Sequence, residues 1–171
     1  MSEGWLVDIV GQGFDAGVRL LEAVPQDMVG AAGRRTRFVA VAATAYMREH
    51  STPRAPQDLL AHVCIRQRLP SGKRYRSEFS RRSSEVGLDG HGTQTLDDND
   101  LLAEAAAAGQ GIAYLPEHFA EPFLGDGRLC TVLEDWCPPI DGLALYYPLN
   151  RHMPSALRAF VDTLRAVKPG M

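Results

Sequence analysis

The sequence predicts an α/β protein with a parallel sheet, and three stretches carry that prediction. Thr95–Pro116, TLDDNDLLAEAAAAGQGIAYLP, reads as a capped helix, a tight turn, a buried strand and a stop, which is half of a βαβ unit. Phe38–Ala43, FVAVAA, is a short continuous apolar run, the pattern of a strand buried on both faces. The chain closes on an amphipathic helix, with Pro154 suited to its first turn and Leu157, Phe160, Val161, Leu164 and Val167 on one face.

Within the first stretch, Asp97, Asp98 and Asn99 are helix-start residues whose short side chains accept bonds from the first free backbone N–H groups. Leu101 to Ala108 is built from the strongest helix formers. Gly109 stands where a left-handed residue ends a helix. Gly111 opens the apolar run Ile112–Leu115, and Pro116 forbids a further ladder bond.

The other elements follow in order. Trp5–Val10 is a strand candidate interrupted by Asp8, and Gly11–Gly17 leads from it to a second apolar piece, Val18–Leu21. The glycine spacing there is GxGxxxG rather than GxGxxG, and Val18–Leu21 is too short for a pyrophosphate-binding helix. A turn between two strands is the better account. Pro25–Arg37 has no clear period and reads as an exposed crossing segment. After Phe38–Ala43 come a short helix, Thr44–Glu49, a Pro-rich break, and one helical turn, Gln57–Ala61.

Val63–Leu69, VCIRQRL, starts apolar and ends with alternating arginines, and Pro70–Lys73 looks like a hairpin turn. Tyr75, Ser77 and Phe79 alternate with Arg76, Glu78 and Ser80, the period of a half-buried antiparallel strand. Glu85–Leu96 is extended. A helix at Glu117–Leu124, a strand at Leu129–Leu133, a stiff turn at Cys137–Pro139 and an extended Leu143–Tyr147 complete the chain.

Composition bounds the function. An apolar share of 45% over 171 residues suits a globular protein with a real core, in one domain or two small lobes. A net charge of −3 provides no global attraction to nucleic acid or to an anionic membrane. No apolar run approaches the roughly 18 residues of a membrane span, and Ser2, Glu3 and Gly4 lack the basic start of a signal peptide. The three cysteines, Cys64, Cys130 and Cys137, have no CxxC spacing, so a reducing cytoplasm is expected rather than a disulfide framework or zinc site.

No catalytic constellation is visible. His50, His62, His91, His118 and His152 are scattered, without partners at metal-ligand spacing, and read as surface or turn residues. No GxSxG elbow or P-loop occurs. The acidic run Asp97–Asp100 is explained by capping, and Tyr114, Tyr146 and Tyr147 by core packing. Seven of the 18 basic residues lie between Arg66 and Arg82, but only Tyr75 and Phe79 interleave with them, so a solvated hairpin face accounts for most. Arg66 and Arg68 stand apart because they end a buried strand, where open α/β sheets place ligands. A binding module is therefore expected, with no enzyme activity, cofactor or metal.

The order of the pieces VDIVGQGFDAGVRL, FVAVAATAYMREHSTPRAPQDLLAHVCIRQRLPSG, DDNDLLAEAAAAGQGIAYLP and DGRLCTVLEDWCPPIDGLALYYP resembles the effector-binding part of a LysR-type transcriptional regulator, over nearly the whole chain. The resemblance implies a periplasmic-binding-protein-like (type 2) fold of two α/β lobes joined by two crossing strands, with a small effector between the lobes. Residues 1–37 would belong to the first lobe, 38–140 to the second, and 141–171 to the return with its C-terminal helix. Phe38–Ala43 and Leu143–Tyr147 would carry the crossings.

Carried over by motif, the effector-binding candidates are Arg66 and Arg68 at the strand end and Asp98 and Asn99 at the helix start, where a carboxylate finds free N–H groups. The acids Asp97, Asp98 and Asp100 would repel such an anion unless they face away or pair with Arg66 or Arg68. Against the family pattern, the chain lacks the N-terminal winged helix-turn-helix and the first effector-domain strand and helix, and DMVGAAGRRTRF is about one residue short. The expectation is a truncated, cytoplasmic, self-associating sensor that reaches DNA only through the absent domain and binds a small, anionic effector. The alternatives are a remnant acting through self-association alone, or a small nucleotide-binding enzyme.

Overall fold

The computed structural model describes residues 13–20, 28–32, 35–69, 72–148 and 153–166. Trp5–Val10 and Val167, both expected in regular elements, lie outside them. The chain divides into two compact units, Met1–Arg35 with Ile140–Met171, and Thr36–Pro139.

In the first unit, β1 (Gly17–Leu20) and β2 (Met28–Ala32) flank β10 (Leu143–Pro148) in a three-stranded antiparallel sheet. Strand β2 corrects the expected crossing segment. Its glycine and alanines carry little strand preference, and pairing with β10, Gly30 opposite Tyr146, imposes the extended form. Gly17 opposes Tyr146 on the other edge, and a Cβ there would come within 2.7 Å of the Tyr146 ring. That contact explains the last glycine of the GxGxxxG motif without any phosphate, since the motif runs into a strand.

Helix α4 (Ser155–Ala166) packs Val161 and Leu157 against Leu145 and Tyr147. The buried row is narrower than the five-residue face expected, because Phe160 and Leu164 remain exposed at 52% and 45%.

The second unit is built on a five-stranded sheet in the order β7-β4-β8-β3-β9, comprising β3 (Phe38–Ala43), β4 (Cys64–Gln67), β7 (Thr95–Leu96), β8 (Ile112–Pro116) and β9 (Leu129–Val132). Strand β4 is parallel to β7 and β8, whereas β3 is antiparallel to β8 and β9. The sheet is thus mixed rather than parallel. Helix α3 (Glu117–Gly125) carries the chain from β8 to β9 past the intervening β3. An apolar run records that a strand is buried but not its direction, so this reversal has no local signature.

Alternate residues of β3 serve two cores, as the pleat requires. Val39 and Val41 pack with Ile65, Ala113 and Leu115 under α3 and α2 (Asn99–Ala107), against Leu102, Ala103, Ala106 and Ala120. Ala40 and Ala42 face Tyr46, Leu59, Cys64, Phe79, Val132 and Cys137. Burying Leu102, Leu115, Val41 and Phe79 stabilises by roughly 1.5–3 kcal/mol each.

Helix α2 starts and stops as its residues dictate. The Asp98 carboxylate accepts from the Leu101 N–H at 3.0 Å. At the far end the N–H groups of Gly109 and Gln110 reach the carbonyls of Ala106 and Ala105, with Gly109 at φ +76°. These are the two bonds of a Schellman stop. Gly111 has a different task, because a Cβ there would lie 2.5 Å from the Val63 carbonyl oxygen.

The expected hairpin after β4 forms in part. Leu69 N–H donates to the Lys73 carbonyl and Tyr75 N–H to the Gln67 carbonyl, both at 2.8 Å, with Arg68 bridging Arg74. The alternating segment then turns elsewhere. Strand β5 (Ser77–Arg81) pairs with β6 (Ser84–Leu88) through a turn at Arg82, whose φ is +55°. Helix α1 (Thr44–Glu49) and the 3-10 turn Pro56–Ala61 join β3 to β4.

Candidate functional site

A cleft opens between the five-stranded sheet and the β5–β6 hairpin, entirely within the second unit. Its enclosed part is small, about 20 Å³, and the rest is open to solvent. Its floor is apolar, from Ala40, Ile65, Ile112 and Ala113, and its polar wall is formed by Arg66, Gln67, Tyr75, Ser77, Asp89 and Tyr114.

Arg66 sits here because β4 pairs it with Thr95 of β7 on one side of a buried parallel ladder. The carboxyl end of β4 is thereby delivered to the cleft, the end at which such sheets bind ligands. The Arg66 backbone is committed to Gln94, N–H to carbonyl at 3.1 Å. Its side-chain Nε is buried and has no hydrogen-bond partner. A buried guanidinium donor without a protein acceptor is a feature suited to holding an anion.

The other candidates are placed differently. Arg68 is exposed, and its backbone N–H donates to the Leu96 carbonyl at 2.7 Å. Asp98 spends its carboxylate on its own helix cap. Asn99 is half-buried, and its Oδ1 accepts from Gln67 Nε2 at 3.0 Å, tying the start of α2 to the end of β4. Arg66 alone of the four lines the cleft, with Asn99 one residue removed through Gln67.

Sequence reasoning missed the aromatic wall. Phe38, Tyr75 and Tyr114 lie nearly parallel, with centroids 5.4 to 6.4 Å apart, and Phe79 tilts against Tyr114 at 4.9 Å. Burial raises the Tyr114 hydroxyl well above the ordinary tyrosine range, so the phenol stays a proton donor. The alternation at residues 75–79 signalled a half-buried strand but not what it would face.

Three of the seven residues of the basic cluster are engaged with named neighbours. Arg74 pairs with Asp89 at 3.1 Å, Arg81 with Asp135 at 3.2 Å, and Arg76 donates to the Gly87 carbonyl at 2.9 Å. These contacts fit a solvated hairpin face. Among the described residues no group of three His, Cys, Asp or Glu side chains is placed to hold a metal ion. His62 departs from the surface role expected of it and is 3% exposed.

The family model for the LysR substrate binding domain matches residues 1–169. The chain belongs to that family. It is 42% identical over 161 residues to the uncharacterized HTH-type transcriptional regulator YcaN of Escherichia coli (strain K12), covering 94% of this chain and 52% of YcaN. It is 35% identical over 162 residues to the HTH-type transcriptional regulator PgrR of the same organism, covering 94% of this chain and 54% of PgrR. The LysR substrate-binding chain thus spans about half the length of these relatives, which are regulators rather than enzymes. The regulatory domain of AphB from Vibrio vulnificus superposes with a TM-score of 0.75 at 22% identity, covering 91% of this chain and 76% of that one. The fold is the type 2 periplasmic-binding-protein-like fold of LysR regulatory domains. Among the described residues no helix is long and apolar enough to cross a membrane.

Proposed function

We propose that this chain is the effector-sensing domain of a LysR-type transcription regulator and that it binds a small anionic metabolite through Arg66. The observation that carries the reading is the buried, partnerless Arg66 Nε beside a polar and aromatic wall at the carboxyl end of β4. Arg68 and Asn99 flank that end, and Asp98 orders the helix start beside it. The ligand acts by binding one arrangement of the domain more tightly than another. DNA contact belongs to the helix-turn-helix part of the whole regulator, which works as a homo-oligomer in the cytoplasm.

Thermal shift against small carboxylates, aromatic acids, amino acids and NADP tests the proposal. A ligand at about 100 times its dissociation constant adds roughly 2.7 kcal/mol of stability. A shift with one acid that disappears in Arg66→Ala is the expected result. A shift with NADP alone, or an acid response that survives Arg66→Ala, would sink it. A chain that responds to nothing and self-associates is the remnant described by the alternative reading.

A further inference from the structure

Independently of the ligand, we propose that Tyr46 and His62 form an acid-sensitive clasp at the amino end of β4, which protonation of His62 opens. His62 is 3% exposed and Tyr46 9%. The Tyr46 hydroxyl lies 3.3 Å from His62 Nδ1, and it accepts from the Val63 N–H at 3.3 Å. The Ser51 backbone takes a hydrogen bond from the ring, which uses the other nitrogen and leaves Nδ1 to accept the Tyr46 proton. The geometry therefore assigns Nδ1 as the bare nitrogen of a neutral imidazole. Adding a proton to Nδ1 sets two donors against each other, and the Tyr46 O–H must turn away from the ring within a buried site.

The groups around the ring decide how much acid is needed. On α1, His50 stacks on Tyr46 at 3.9 Å and stands 6.0 Å from His62, held by its Nδ1 contact to the Tyr46 carbonyl at 2.9 Å. Asp58 of the 3-10 turn attracts a cation at His62, and the Ser51 backbone also favours the charged form. The Cys64 thiol points to the His62 carbonyl at 3.9 Å, and β6, which packs on the 3-10 turn, offers the exposed Glu85. Burial is the largest influence and His50 the next, and together they hold the His62 imidazole below the ordinary histidine range.

The clasp sits where β4 enters the sheet. Val63 N–H is held by Tyr46, the Val63 carbonyl accepts from Ile112 at 2.8 Å, and Cys64 N–H donates to the His91 carbonyl at 2.8 Å. Opening it frees the entry of the strand that carries Arg66. The sign follows from linkage. The unfolded chain binds a proton at His62 near pH 6.5 and the folded chain binds it less readily, so the stabilisation is complete above about 6.5 and declines as pH falls below it.

The test combines an NMR titration of the His62 ring protons with urea unfolding at pH 7.5 and 5.5, for the unaltered chain and for His62→Asn. The Asn oxygen can take the place of Nδ1 as an acceptor but does not titrate. Between the two pH values the folding constant of the unaltered chain is expected to fall by up to about tenfold more than that of His62→Asn. Equal pH dependence in the two chains overturns the proposal. So does a His62 that titrates at or above the ordinary histidine value, a result available even if His62→Asn does not fold.

Discussion

The Tyr114 hydroxyl donates to the Glu78 carbonyl oxygen at 2.6 Å, tying the middle of the five-stranded sheet to the β5–β6 hairpin that walls the cleft. The bond is short and one-sided: Tyr114 is fixed in a central strand, whereas the hairpin pairs with itself. Tyr114→Phe keeps the ring against Phe38 and Phe79 and deletes the bond. A loss of about 1 kcal/mol in urea unfolding is expected, with faster amide exchange across residues 77–88.

Arg66 has the opposite balance. Its buried Nε lacks an acceptor in the free chain, and an unsatisfied buried donor costs roughly 1–3 kcal/mol. Arg66→Met, which keeps the apolar stem, is expected to leave the free chain as stable or more stable in thermal unfolding. The same substitution should abolish the ligand-induced shift.

Gly109 and Gly111 separate two kinds of glycine. At Gly109 a Cβ meets nothing within 4 Å, and the left-handed φ of +76° is the whole difficulty. Gly109→Ala is expected to cost about 1–2 kcal/mol. At Gly111 a φ of +144° is joined by the Val63 carbonyl only 2.5 Å from the new Cβ. Gly111→Ala should cost more than Gly109→Ala in the same unfolding assay, with chemical-shift changes centred on Val63 and Ile112.

The cysteines should react in order of burial. Burial pushes the Cys64 thiol up to about 11, and Cys137 is raised for the same reason. Cys130 is only partly buried and is also raised by burial, opposed by a hydrogen bond with Thr44. Timed thiol labelling at pH 7.5 should mark Cys130 first, with Cys64 and Cys137 reacting at the rate of unfolding.

Arg37 and Glu117 join the start of β3 to the start of α3. Arg37 Nε donates to Glu117 Oε1 at 2.8 Å, Nη2 donates to the same oxygen, and the Glu117 N–H donates to the Arg37 carbonyl at 3.0 Å. The Glu117 hydrogen bond raises the Arg37 guanidinium above its ordinary value. Arg37→Lys loses the fork and should destabilise by about 1 kcal/mol, with the deficit shrinking little in 0.5 M salt because the pair is two-thirds buried.

What the sequence by itself determined about this protein is its local chemistry. Asp98 caps α2 and Gly109 stops it, Phe38–Ala43 is a strand buried on both faces, and Arg66 lies near the end of a strand that starts buried. Each rests on a few neighbouring residues whose conformational preferences agree, so each could be read in place. The tertiary structure decided what depends on partners far along the chain. It reversed β3 within the sheet, extended Met28–Ala32 along β10, and added a second hairpin turn at Arg82. It also left Phe160 and Leu164 of α4 uncovered. The site divides in the same way. Arg66 was legible from its position on a strand, but the Tyr75 and Tyr114 wall, the Gln67–Asn99 bond and the burial of His62 come from segments 16 to 39 residues apart. Pairing across such separations is chosen by which surfaces exclude water together, and a single segment does not encode that choice.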